Sequence, residues 1–180
     1  MVPKVSRDLM QAETHLQRNK YDDTIRICRR YVDPETRAEA PETNPNDVGF
    51  ACYLLGQVVI KKGREAAADR AIQFYDRSIE LYPMAHTHSL RAAAFNFRYR
   101  NLWEAFKQES SPQTVDQIID ALERSEGDLI QAGALGKRDE PQNTDFLRNV
   151  TEKLKDVWRE RQHWQDVRSR MPQPSSTSAS

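Results

Sequence analysis

The chain carries few side chains whose spacing could support catalysis or metal binding. His86 and His88 stand two residues apart, but such residues do not share a helix face, and no nearby cysteine or carboxylate completes a metal site. Glu13 and His15 have the same spacing, and Cys28 has no identified base to activate it. We therefore predict no catalytic residue, no metal and no cofactor, and we expect a protein that is not an enzyme.

The segment Gly133-Ala134-Leu135-Gly136-Lys137 is the nearest approach to a phosphate-binding loop. It lacks the glycine spacing of such loops, and no serine or threonine follows the lysine. We interpret it as a break between two helices.

Basic and aromatic side chains alternate between residues 88 and 107, a mixture that could stack on bases and neutralise phosphates. The basic members are His88, Arg91, Arg98, Arg100 and Lys107, and the aromatic members are Phe95, Phe97, Tyr99 and Trp103. The alternative, which we favour, is that Phe97 and Phe106 belong to the core while the arginines are solvated or paired with carboxylates.

The composition indicates a single all-α domain of 180 residues. Charged residues make up 30% and hydrophobic residues 38%, with only six glycines, a balance that suits exposed helices better than a sheet. The 27 basic and 27 acidic side chains cancel, so no overall field attracts nucleic acid or an anionic membrane.

Cysteine usage and hydropathy indicate a reducing, intracellular location. Two cysteines, Cys28 and Cys52, are too few for a disulfide scaffold, and both lie in apolar helical contexts. The first residues lack the apolar core of a secretory signal, and no stretch is long and apolar enough to span a membrane. We expect a cytoplasmic protein that does not bind membranes.

The most informative stretch, residues 48–83, predicts a helical hairpin. Apolar residues recur at helical spacing, and Gly56 leaves room for a second helix to approach closely. Gly63 ends the first helix, and Pro83 cannot continue the second.

The residues of this hairpin resemble the tetratricopeptide repeat (TPR) family, whose pattern combines Leu-Gly, a later Ala-x3-aromatic and a closing proline. The matching residues are Leu55, Gly56, Ala71, Tyr75 and Pro83. The resemblance implies an α-solenoid of about three hairpins, followed by two C-terminal helices, with a concave groove that binds other proteins. The resemblance implies no catalytic activity.

The remaining segments are assigned around this hairpin. They are a first hairpin at 1–32, an acidic Pro-rich loop at 33–47, a third hairpin at 84–110, C-terminal helices at 111–171 and a disordered tail at 172–180. We expect the third hairpin to turn at Arg100 and Thr144 to cap the last helix. That helix either caps the solenoid, which we favour, or pairs with a partner helix or its own copy.

The resemblance places the first helix of each hairpin along the groove. This assigns nine residues to the partner-binding surface: Leu9, Glu13, Phe50, Tyr53, Leu54, Gln57, Leu90, Arg91 and Ala94. Only Arg91 fits the family's clamp for acidic C-termini, so we expect instead an apolar helix or extended segment of another protein.

The expected function is a non-catalytic adaptor or scaffold for protein binding. The alternative is a nucleic-acid-associated factor that uses residues 88–107, and a third interpretation is a subunit of an enzyme complex.

Overall fold

A computed structural model describes residues 5–41, 43–63 and 67–172 of the chain. Within these ranges the protein contains seven α-helices and no β-strand, so the predicted all-α fold is confirmed. The helices are α1 (Arg7–Gln17), α2 (Tyr21–Cys28), α3 (Pro45–Lys62), α4 (Ala67–Leu81), α5 (Ala85–Gln108), α6 (Pro112–Asp139) and α7 (Thr144–Ser169).

Each helix packs against the next one along the chain, and α3 also contacts α1 and α5. One apolar cluster joins α1, α2 and α3, a second joins α4 to α5, and a third joins α5, α6 and α7. The core is therefore a series of layers between successive helices.

The hairpin of α3 and α4 depends on Gly56, as the sequence predicts. A Cβ atom at this position would lie 2.5 Å from Cε1 of Tyr75, whose ring is fully buried on α4. Only glycine lets the ring lie directly against the α3 backbone without displacement.

The first hairpin also follows its prediction. Asn19, between α1 and α2, has a φ of 58°, in the left-handed region that Asn tolerates better than most residues. The buried Thr24 hydroxyl of α2 donates a hydrogen bond to the Ala12 carbonyl of α1, at 3.2 Å.

The acidic loop after α2 contacts α4. Arg70 donates a hydrogen bond to the Pro34 carbonyl at 2.7 Å, and Arg77 pairs with Glu39 at 2.5 Å. The loop is shorter than predicted, because Asn44 caps α3 by accepting a hydrogen bond from the Asn46 amide at 2.9 Å.

The predicted turn at Arg100 is wrong. Helix α5 runs without interruption from Ala85 to Gln108, because this region contains neither glycine nor proline to stop it. Leu102 and Phe106, beyond the expected turn, pack on the same cluster as Tyr99 before it. The third hairpin is therefore formed by α5 and α6 and does not end at residue 110.

The predicted helix break at Gly133 and Gly136 is also wrong, because α6 continues to Asp139. Gly136 serves close packing: a Cβ atom there would lie 2.9 Å from Cε1 of Phe146 on α7. The cap of α7 is Asn143, which accepts a hydrogen bond from the Phe146 amide at 3.2 Å, and Thr144 is the first helical residue.

Helix α7 covers one side of α6, with Val150, Val157 and Trp164 buried. The tail predicted to be disordered lies outside the described residues, apart from Pro172.

Candidate functional site

A cleft of about 540 Å³ lies between α5 and α7, and we call it the aromatic cleft. The two helices run parallel, since contacts join their beginnings, His86 with Phe146, and their ends, Phe106 with Trp164. The cleft is lined by Ala92, Ala93, Asn96, Phe97, Tyr99, Arg100 and Trp103 of α5, Leu129 of α6, and Lys153, Asp156, Val157 and Glu160 of α7.

Two large apolar side chains of the aromatic cleft face solvent. Phe97 is 39% exposed and Trp103 is 43% exposed. Trp103 stacks on Tyr99, with 6.1 Å between ring centroids and 18° between planes, and the Lys107 ammonium lies 5.4 Å from the Trp103 ring. These contacts hold the Trp103 ring in place without covering it.

The buried Tyr99 hydroxyl joins the two walls of the cleft. It donates a hydrogen bond to Glu160 at 2.9 Å and accepts one from the Trp164 indole at 3.4 Å. Burial raises the pKa of Tyr99 to about 12, so the hydroxyl remains a neutral donor at physiological pH.

The rim of the cleft carries charges of both signs. Asp156 pairs with Arg159 at 3.2 Å, and Glu160 accepts the Tyr99 hydrogen bond. Among the described residues, no carboxylate lies within 4.0 Å of the charged groups of Arg100 or Lys153. The cleft therefore offers two unpaired cations beside two engaged carboxylates.

The basic and aromatic side chains of residues 88–107 do not form one continuous surface: some are exposed, some pack on the core and some are paired with carboxylates. Phe97 is exposed, so its assignment to the core is wrong, whereas Phe106 does pack against the core. The expected pairing of arginines is confirmed for Arg98, which lies 3.5 Å from Asp69, and for Arg91.

Arg91 belongs to a buried ionic cluster between α5 and α6. Its guanidinium donates two hydrogen bonds to Asp128, at 2.7 and 2.8 Å, and a further one to Asp76 of α4. His88 Nδ1 lies 3.0 Å from the same Asp128 carboxylate, which is only 3% exposed.

The cluster holds Asp128 in its charged form. Burial raises the pKa of Asp128, but hydrogen bonds from His88 and Arg91 outweigh burial and keep the pKa below its ordinary value. Sequence reasoning missed Asp128, because its partners His88 and Arg91 lie 40 and 37 residues earlier in the chain, and no spacing within α6 indicates them. The arrangement ties α4, α5 and α6 together.

The predicted groove residues fall into two groups. The side chains of Leu9, Phe50, Leu54 and Ala94 are buried in the core. The partly exposed ones are Glu13, Tyr53, Gln57, Leu90 and Arg91.

Tyr53 of α3 lies close to Glu13 of α1 and to Gln57, one turn later on α3. Burial raises the pKa of Tyr53 to about 12, the Glu13 charge adds to the rise, and a hydrogen bond with Gln57 lowers the pKa. Leu90 and Arg91 lie on α5, which contacts α3, and Arg91 is held there by Asp128 and Asp76.

The side chains considered for chemistry are separated or buried. His86 stacks on Phe146 at 4.6 Å, whereas His88 contacts Asp128. Cys28 and Cys52 are buried thiols, and burial raises the pKa of each to about 12. In the part of the chain that the structure describes, no three histidine, cysteine or acidic side chains could hold a metal ion.

No protein-family model matches the sequence, and no curated protein is significantly similar to it. None of the described helices combines the length and the apolar character needed to cross a membrane. The geometry of the aromatic cleft is accordingly the main basis for assigning a function.

Proposed function

We propose that the protein is a non-catalytic, intracellular adaptor built of TPR-like hairpins that binds a segment of another protein in the aromatic cleft. The order of helix contacts supports a stack, because each helix packs on its successor and α3 also touches α1 and α5. In such a stack the first helices of the hairpins share one face. Helices α5 and α7 occupy first-helix positions, so the cleft belongs to that face.

The exposure of Phe97 and Trp103 is the observation that carries the proposal. Aromatic side chains that stay in water beside a preformed apolar cleft are typical anchors for a partner. Tyr99 supports the Trp103 ring from beneath, so binding costs little loss of side-chain freedom. A partner would gain apolar contact area on a surface that is already ordered.

The charges of the cleft favour a protein segment over nucleic acid. Arg100 and Lys153 stand beside Asp156 and Glu160, so the local charges cancel. A row of phosphates would be repelled by the two carboxylates. An apolar segment with a single acidic side chain could pair with Arg100 or Lys153 and avoid that repulsion. We therefore expect an apolar helix or extended segment that carries isolated charges.

Selection from a displayed library of random peptides, followed by affinity measurement in solution, tests this function. Trp103→Ala should weaken binding of the selected peptides at least about tenfold, as expected for a central aromatic anchor. Trp158→Ala is the matched control, because Trp158 is similarly exposed but lies on α7 outside the aromatic cleft. Equal affinities of wild type and Trp103→Ala would rule out the cleft as the binding site.

Two further arms separate the alternatives. Tyr53→Ala tests the predicted surface on α1 and α3, which should contribute nothing if the aromatic cleft binds alone. Single-stranded RNA or DNA should bind weakly at every salt concentration. Tight binding at low salt that falls steeply as salt rises would instead support the nucleic-acid interpretation.

A further inference from the structure

The walls of the aromatic cleft offer a partner almost no backbone hydrogen bonds. Every residue that lines the cleft lies well inside α5, α6 or α7. The backbone N–H and C=O groups of these residues are therefore used within the helices themselves. Among the lining residues that the structure describes, only Asn96 carries an amide, which can both donate and accept a hydrogen bond.

This lack of backbone partners disfavours an extended segment in the cleft. The cleft runs along α5 from Ala92 to Trp103, a length of roughly 17 Å. An extended segment of about five residues would cover that length. Its N–H and C=O groups that face the walls would lose water, and Asn96 alone could replace few of the lost hydrogen bonds. A helix of about three turns covers the same length and satisfies its own backbone groups.

The two unpaired cations of the cleft, Lys153 and Arg100, lie at different levels. Tyr99 of α5 contacts Glu160 of α7, 61 positions later in the chain. Contacts near both ends of the two parallel helices have nearly the same offset. Lys153 is therefore level with a residue of α5 about seven positions before Arg100, which separates the two cations by roughly 10 Å along the cleft.

We propose that the partner segment is an amphipathic α-helix with two acidic residues seven positions apart, an inference that rests on the proposed function of the cleft. Two turns of helix also advance by about 10 Å, so one acid pairs with Lys153 and the other with Arg100. The apolar residues on the same face pack on Phe97 and Trp103, which lie about 9 Å apart along α5. In an extended segment, acids only about three positions apart would cover the distance between the cations.

The carboxylates of the rim restrict the helix to these two acids. Asp156 lies between the levels of Lys153 and Arg100, so it would repel a third acid placed between the other two. Asp156 is already paired with Arg159, and Glu160 accepts the hydrogen bond from Tyr99. The two free cations are therefore the sites that attract acidic side chains of the partner.

Carbon-13 NMR of a bound peptide tests the helical conformation. The probes are peptides selected from the random library against the full chain, and the ones used are those whose affinity falls in Trp103→Ala. Their Cα resonances should show the downfield shifts of a helix over about ten consecutive residues, the length of three turns. Extended chemical shifts in a peptide that depends on Trp103 would overturn this inference and leave the proposed function standing. Selected peptides that all bind Trp103→Ala as well as wild type would overturn both.

Charge exchange tests the spacing of the two acids. Lys153→Glu and Arg100→Glu should each weaken binding of the peptide about fivefold, because attraction becomes repulsion. Both side chains are exposed, and circular dichroism checks that each variant is folded. Lys155→Glu is the matched control and should bind like wild type, since Lys155 lies on the same helix outside the cleft.

Replacing one acid of the peptide with lysine should recover the affinity for one variant only. The acid that recovers binding to Lys153→Glu and the acid that recovers binding to Arg100→Glu should be seven positions apart. Recovery at acids three positions apart would indicate an extended segment and overturn the inference. Unchanged affinity in both variants, or no recovery with any replaced acid, would overturn it as well.

Discussion

Replacing Gly56 with alanine tests the packing of α3 on α4. The added methyl would lie 2.5, 2.8 and 2.9 Å from three ring atoms of Tyr75, closer than carbon atoms approach in folded proteins. Tyr75 is fully buried against Ile72 and Phe95, so its ring cannot move into solvent. The methyl must therefore displace α4 or force the ring out of its preferred rotamer.

Two opposing effects set the magnitude. Alanine within a helix is more favourable than glycine by roughly 1 kcal/mol. Overpacking a filled core costs about 1 to 3 kcal/mol. We therefore expect Gly56→Ala to lower the free energy of unfolding by up to about 2 kcal/mol, although the substitution favours the helix.

Gly127→Ala is the matched control, because Gly127 also lies inside a helix and a Cβ atom there would meet no atom within 4 Å. It should raise the free energy of unfolding by roughly 1 kcal/mol. Urea unfolding followed by circular dichroism measures the free energy of unfolding of both variants. The two values should differ by about 1 to 3 kcal/mol. Equal stabilisation by the two substitutions would refute the close contact between Gly56 and Tyr75.

Two further predictions concern the buried ionic cluster and the thiols. Asp128→Asn should lower the free energy of unfolding by about 3 kcal/mol at neutral pH, measured in urea, because Arg91 loses its buried carboxylate. The folded pKa of Asp128 is depressed, so its contribution is present above the unfolded pKa of about 3.9 and is lost as pH falls through the folded pKa. Wild type and variant should converge in acid, and a constant difference would contradict the ion pair. Cys28 and Cys52, with thiol pKa values near 12, should react slowly with Ellman's reagent until urea unfolds the chain, and rapid labelling of the folded protein would show that they are accessible.

Local sequence signals predicted the first two hairpins but not the third. Gly63 and Pro83 act on nearby backbone, so the ends of α3 and α4 can be derived from the sequence alone. At Arg100 the sequence resembled a repeat turn, yet it contained no residue that stops a helix, and α5 continued. At Gly136 a residue that often ends helices is used instead to let α7 approach, a tertiary effect that local patterns do not contain.

The sequence drew attention to the segment of α5 that lines the aromatic cleft, but as a possible nucleic-acid surface, and it placed the protein-binding groove elsewhere. The signal was the alternation of aromatic and basic residues between 88 and 107. Which rings face solvent depends on α7, about sixty residues later in the chain, where Glu160 and Trp164 bind the Tyr99 hydroxyl and leave Phe97 and Trp103 uncovered. Such distant pairing could not be derived from spacing within α5.

The indole signals of the three tryptophans test the central claim most directly. In a nitrogen-15 NMR spectrum, each side chain gives one indole N–H resonance, and a selected peptide can be titrated against the protein. Binding in the aromatic cleft should shift the Trp103 resonance, with a smaller change at Trp164, whose indole reaches Tyr99 at the cleft floor. The Trp158 resonance should stay unchanged. A peptide that shifts Trp158 and leaves Trp103 unaffected would contradict the assignment of the binding site.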